Sequence, residues 1–428
     1  MTHLGRPRHP FAPHDCKRKS IQNGHDYVLR PDTIGLTALL GLLTAFGPVA
    51  TDMYVPSMPD IGRLLGASTS EVQLTLSSYL IGIAIGQLIY GPLSDRFGRK
   101  PVLLTALLLF CGASALCAAA SDIETLIAAR ALQALGGAGA IVLPRAIVRD
   151  LYAGERAGRE LSRIGAVMSV APVIAPLLGG ILQLAFGWRA NFIAILGVGA
   201  IATVLTWRAL PETRHHCSSD AMSIMAVLRG YRIVAENRGF LAHLGIVACC
   251  YAGLFAWISG SPFVLQNLYG LSAFAFSVAF AVACLGSLAS AAMAASLVMR
   301  IGLDLTIGLG TLALALGGAG MMIGLTLGLA PVAFLVLSMM LYHGGLMLAM
   351  PQAIAGGLTP FPDRAGAASS LIGVAQQISA AIAGAVVGLT LGQTAWPLAV
   401  AIALVGSLSL VLWAASRYAR MQAVVVRG

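Results

Sequence analysis

"YGPLSDRFGRKP", residues 90–101, gathers an aspartate, two arginines and a lysine between apolar runs, in a chain of 428 residues that is only 10% charged and 58% hydrophobic. A soluble domain carries roughly 25% charge. The composition therefore places the chain in a membrane, and the charged stretch reads as a loop between two membrane spans. Gly91 and Pro92 are expected to end one helix and Gly98 to relieve the following turn. Arg96, Arg99 and Lys100 hold the loop at the membrane interface, with Asp95 as a fixed negative charge among them.

Working outward, the apolar runs are long enough to cross a bilayer, for which a helix needs roughly 20 residues. Backbone polar groups in lipid must be satisfied within their own segment, so helices are the economical reading. Twelve spans are expected, the first over 33–54 and the last over 396–416. The fold class is all-α integral membrane. Shifting the sequence by 204 positions lays "LSDRFG" (93–98) on "LVMRIG" (297–302), so the spans form two six-helix pseudo-repeats. The expected division is a basic disordered tail (1–32), an N-terminal bundle (33–208), a linker with an interfacial helix (209–240), a C-terminal bundle (241–416) and a basic tail (417–428). Within the linker, "AMSIMAVLRGYRIV" has the mixed apolar and basic pattern of a helix lying on a membrane surface.

Lys and Arg set the orientation, because positive residues stay on the cytoplasmic side. With the N-terminus inside, 24 of the 27 fall in cytoplasmic segments, Arg145 and Arg149 among them; Arg63 and Arg189 fall outside and Arg130 within a span. Both termini are expected in the cytoplasm, and the net charge of +10 reads as topology and lipid contact, without nucleic acid. The first apolar run is too long for a signal peptide and no A-x-A site follows it, so it is expected to stay. Seven scattered cysteines form no C-x-x-C, and His215–Cys217 lack the spacing of a zinc site, so no metal or cofactor is expected.

The complete G-x-L-x-D-R-x-G-R-K pattern between the second and third of twelve spans resembles the signature loop of the major facilitator superfamily. Five further blocks, "TDMYVPSMP" (51–59), "RALQALGGAGA" (130–140), "APVIAPLLGG" (171–180), "SPFVLQNLYG" (261–270) and "TPFPDRAGAASSLIGVAQQ" (359–377), resemble its Bcr/CflA branch of bacterial drug:proton antiporters. The resemblance implies a monomeric inner-membrane protein that exports small amphipathic compounds by alternating access, driven by the proton gradient. Export of a native metabolite of amino-acid type, or nutrient import, is the alternative. No G-x-S-x-G, H-E-x-x-H or phosphate loop points to an enzyme or an ATP-driven pump.

Ionisable residues within a membrane are costly and mark function. Asp52, late in the first span before Pro56, is the candidate proton site, because a desolvated carboxylate that a cavity reaches is able to load and release a proton. The alternative is a water-exposed helix-end cap. Arg130 matches the family's fourth-helix motif, completed by Gln133 and Gly136, and the resemblance implies a part in proton transfer, its charge tuning the proton affinity of Asp52. The alternative is a structural or snorkelling arginine. His343, within the tenth span, is the third candidate, either titrating in the cycle or packing. The resemblance also gives the conformational lock loop (Gly91, Asp95, Arg96, Gly98, Arg99), with Asp95 meeting the start of the eleventh helix in the outward-facing state. It likewise gives an antiporter motif (Gly165, Pro172, Pro176, Gly179, Gly180), in which Ala175 stands where many relatives have Gly. Tyr79, Gln87, Tyr251, Trp257, Phe263, Gln266, Tyr342 and Gln376 are candidates for the substrate pocket or, alternatively, core.

Overall fold

A computed structural model describes residues 33–152, 154–213, 224–328, 331–361 and 364–425. The tail expected over 1–32, the His215–Cys217 stretch and the last three residues lie outside these. Twelve helices are long and apolar enough to cross a membrane, and no strand occurs among the described residues. They are α1 (Ile34–Leu65), α2 (Thr69–Phe97), α3 (Arg99–Ala119), α4 (Ile123–Leu151), α5 (Gly154–Phe186), α6 (Arg189–Ala209), α7 (Arg238–Leu268), α8 (Ala273–Ile301), α9 (Leu303–Leu327), α10 (Pro331–Leu358), α11 (Ala365–Thr390) and α12 (Trp396–Val425). A shorter surface helix, Ile224–Ala235, precedes α7 where the basic and apolar pattern of the linker predicts one.

The packing sorts the helices by half. α4 packs on α2 and α3, and α3 on α6; in the second half α10 packs on α8 and α9, and α9 on α12. The two groups meet along α2 with α11 and along α5 with α8. Small residues permit these contacts, since lipid offers no hydrophobic drive between helices and close backbone approach must supply the attraction.

Pro92 departs from expectation. α2 runs through it without interruption to Phe97. Proline removes only one donor from the backbone ladder, and the helix carries on to the first residue that breaks its geometry. That residue is Gly98, at φ 95° and ψ 155°. The matching turn in the second half is Gly302, at φ 82° and ψ 166°, so the 204-residue offset seen in the sequence is also an offset in backbone conformation.

α1 is not a single rod. It is helical over Phe46–Asp52, passes through a 3-10 turn at Val55–Ser57 and resumes at Met58. Pro56 within that turn accounts for the break.

The seam between the halves is tight at the end of the bundle away from the chain termini. There Gln266 Nε2 donates to the Pro56 carbonyl at 3.0 Å, Gln73 Nε2 to the Ser259 carbonyl at 3.0 Å and Ser77 Oγ to the Ala381 carbonyl at 3.2 Å. At the face that carries the termini, Arg145 and Arg149 of α4, Ala291–Met293 of α8 and Arg364–Gly366 at the start of α11 are exposed. These hydrogen bonds between the halves gather at one end of the bundle.

Candidate functional site

Asp52 ends the helical stretch before the break in α1 and is 4% exposed. Its Oδ1 lies 2.9 Å from the Thr51 hydroxyl, which also lies 2.9 Å from the Gly47 carbonyl. A hydroxyl has one proton to give and can also accept. An ionised Asp52 takes that proton; a protonated Asp52 donates to Thr51, leaving Thr51 to donate to Gly47. Both states of the carboxyl thus have a satisfied hydrogen bond without any movement of the backbone. The opposite wall comes close here: a Cβ at Gly179 would collide with the Met53 backbone, so α5 can approach the α1 break only as glycine.

Arg130 is fully buried. Its Nη1 donates to the Ala50 carbonyl at 2.9 Å and to Gln133 Oε1 at 2.6 Å, and Gln133 passes the chain on to Ser114 at 2.8 Å. The guanidinium lies between the rings of Tyr54 and Tyr79, 4.3 and 4.2 Å from their centroids. Cation–π contacts of this kind hold a cation where no carboxylate is at hand. No ion pair joins Arg130 to Asp52 in this state; the arginine instead grips the α1 backbone two residues before the acid. Gly136, one turn beyond Gln133, lets α4 touch the backbone of α3 at Ala106 and Phe110.

His343 is also buried, in α10, and neither ring nitrogen has a hydrogen-bond partner among the described residues. Ser287 of α8 donates to its carbonyl at 3.3 Å. No hydrogen bond or ion pair brings it together with Asp52 or Arg130.

The lock loop is a network. Arg99, 5% exposed, pairs through Nη1 with Asp95 and through Nε with Asp150, each at 2.8 Å, and donates to Ser94 Oγ at 2.6 Å. Arg96 lies over the Phe97 ring. Glu212, from the segment after α6, accepts the backbone N–H groups of Arg99 at 2.9 Å and Lys100 at 3.1 Å. Helix N-termini leave such donors unsatisfied, and Gly98 has no side chain to cap them. Asp150 and Glu212 were not singled out from the sequence. An acid at the end of α4 and another in the linker become partners of the loop only once the chain folds back. Gly91 meets nothing where its side chain would point.

In α5 both Pro172 and Pro176 sit inside a continuous helix. The Pro172 carbonyl accepts from Cys284 Sγ of α8 at 3.8 Å, and Gly180 lets α5 meet Ser277 of the same helix. Gly165 has open space beside it. The antiporter segment therefore forms part of the seam between halves.

The pocket candidates divide. Tyr79, Trp257 and Tyr342 are fully buried, Tyr79 against Arg130 and Tyr342 through a 3.3 Å hydrogen bond to the Cys249 carbonyl. They are core in this state because large flat rings fill the space between helices. Phe263 and Gln266 belong to the hydrogen-bonded end. Gln87, Tyr251 and Gln376 remain partly exposed. Gln87 stands against Gly373 of α11, and Gln376 Nε2 lies 3.5 Å from Met350 Sδ.

A bundle of twelve spanning helices with polar groups gathered at its seams defines a polytopic membrane transporter. The family model described as Major Facilitator Superfamily matches residues 40–384, and the chain belongs to that family. It is 33% identical over 383 residues to the uncharacterised MFS-type transporter YdgK of Bacillus subtilis, covering 88% of this chain and 95% of that one. It is 32% identical to the chloramphenicol resistance protein of Pseudomonas aeruginosa, covering 85% and 87%, and 28% identical to the bicyclomycin resistance protein homolog of Haemophilus influenzae, covering 84% and 90%. Among solved structures it superposes on a D-xylose-proton symporter with a TM-score of 0.72 at 17% identity, covering 88% of this chain and 96% of that one.

Proposed function

We propose that this protein is a monomeric proton-coupled exporter of drug-like amphipathic compounds, working by alternating access in a bacterial cytoplasmic membrane with both termini in the cytoplasm. The observation that carries the reading is Asp52, a buried carboxyl in a broken helix whose hydrogen bonding to Thr51 accommodates both protonation states. The resistance proteins among its relatives support drugs as substrates.

With the positive residues inside, the hydrogen-bonded end of the seam faces outward, which supports an inward-facing state. In this state Asp52 gives its proton to the cytoplasm and substrate enters. The halves then rock about the α2–α11 and α5–α8 seams. Opened outward, Asp52 takes a proton and substrate leaves. Arg130 holds the break in α1 through Ala50, so that loading of Asp52 is felt by α4. Asp95, paired here with Arg99, meets the start of α11 in the outward-facing state.

Everted vesicles carrying a pH-sensitive dye test this. Addition of chloramphenicol or bicyclomycin is expected to release protons from wild-type vesicles, and Asp52→Asn is expected to abolish the signal at matched protein levels. An undiminished signal in Asp52→Asn contradicts the assignment. Protons moving in the same direction as the substrate indicate import.

A further inference from the structure

Arg145 is the cation that the cytoplasmic charge count assigns to a loop, and the structure places it elsewhere. It lies inside α4, which runs on to Leu151. At 1.5 Å per residue its Cα sits about 9 Å within the end of the helix. Its side chain is exposed, and among the described residues it has no hydrogen-bond or ion-pair partner. A charge at such depth in a membrane protein is kept where it faces water in a cavity or a partner. One turn earlier on the same face of α4, Ile141 lies against Gly47 of α1, and Arg145 is within electrostatic reach of Tyr251 on α7, in the other half of the molecule, so this face looks onto the cleft between the halves.

Tyr251 is partly exposed, packs its ring 5.3 Å from that of Phe255 and is also within electrostatic reach of Asp52. A polar line therefore runs from Asp52 at the hydrogen-bonded end, past Tyr251, to Arg145 near the mouth. The other acid at this end of α4, Asp150, is already paired with Arg99. Arg149, one turn beyond Arg145 and also exposed, adds positive potential at the entrance.

We propose that Arg145 is the anion-recognising residue of the cleft, taking the carboxylate, sulfonate or phosphate group of an amphipathic substrate whose apolar body lies against Tyr251, which Phe255 backs from the core. A guanidinium binds such groups with two parallel hydrogen bonds, which a point charge alone does not reproduce. The carboxyl of Asp52 at the far end disfavours a second negative charge on the substrate. Monoanionic and zwitterionic amphiphiles fit best, and neutral ones such as chloramphenicol bind through the apolar wall alone. The inference rests on the transporter reading and adds to it the feature by which substrates are sorted.

The test compares two probes with one fluorophore, anionic dansylglycine and neutral dansylamide, binding to the full-length protein in phosphatidylcholine nanodiscs. The wild type is expected to prefer dansylglycine. Arg145→Gln is expected to lower that preference about 10-fold, the size of one charge-assisted contact. Arg145→Lys retains part of the preference, and Arg149→Gln lowers it less than Arg145→Gln does. Size-exclusion profiles matching wild type establish that the variants fold. A preference in Arg145→Gln within twofold of wild type, a wild type that does not favour dansylglycine, or equal losses in the two Gln variants overturns the proposal. The transport reading fails separately, if wild-type vesicles show no proton movement with chloramphenicol while the dansyl preference holds.

Discussion

Gly98 and Gly302 turn the chain in the same way at the same place in each half, but what surrounds them differs. Around Gly98 stand Asp95, Arg99, Asp150 and Glu212, tied by two ion pairs and two backbone hydrogen bonds. Moving each by the 204-residue offset gives Met299, Leu303, Ile354 and Ser416. At the second turn Asp304 pairs with Arg417 at 3.7 Å, and the Trp413 indole donates to the Asp304 carbonyl at 3.0 Å. Backbone geometry is thus preserved between the halves while the charge network is confined to one. On the alternating-access reading proposed above, the first-half network is the latch that releases and re-forms, and an identical second one would resist the motion again.

The comparison is broken most severely by Arg99→Ala, which leaves Asp95 and Asp150 facing each other without their cation. Removing one partner of a fully buried pair costs roughly 3–5 kcal/mol; both acids here are partly exposed, so a loss of about 1–2 kcal/mol is expected, with export at least halved. Melting and transport measured on the same preparations check it, beside Met299→Ala, which is 87% exposed and is expected to change neither.

Next in size is the pair Gly98→Ala and Gly302→Ala. Both force a side chain into a positive φ, at a cost of about 1–2 kcal/mol. At Gly98 the added Cβ also lies 2.7 Å from Glu212 Oε2, so Gly98→Ala is expected to melt lower than Gly302→Ala; equal melting temperatures contradict a latch that is confined to the first half.

Glu212→Ala removes a cap from α3 and is expected to cost about 0.5–2 kcal/mol, visible as a lower melting temperature. Smallest is Met299→Asp, expected within about 0.5 kcal/mol of wild type, since Leu303 offers the new acid no guanidinium. Met299→Asp combined with Leu303→Arg sharpens the point: it is expected to build the missing pair and slow transport, where Met299→Asp alone does not.

Much of this architecture was legible in the sequence, because spans are runs of one chemistry and the hydropathy that defines them is local. The 204-residue repeat, the broken first span at Pro56 and a helix in the linker were all visible for that reason. Pro92 misled, since a proline removes only one backbone donor and α2 runs on through the charged residues as far as Gly98. Asp150 and Glu212 were missed because each is ordinary alone and acquires meaning from a partner 51 or 113 positions away. Arg145 was hidden by counting: topology rules pool every cation near a helix end and do not separate one in the loop from one within the last two turns of the helix. The aromatic residues resisted assignment for a related reason, as core and pocket make the same demand for large apolar side chains, and only packing distinguishes Trp257 from Tyr251.

The central claim is that one buried carboxyl exchanges a proton against substrate. It is tested most directly by adding chloramphenicol to purified protein in weakly buffered detergent solution with a pH indicator. Wild-type protein is expected to acidify the solution on binding, and Asp52→Asn to bind without acidification. Equal acidification by the two proteins would contradict the account.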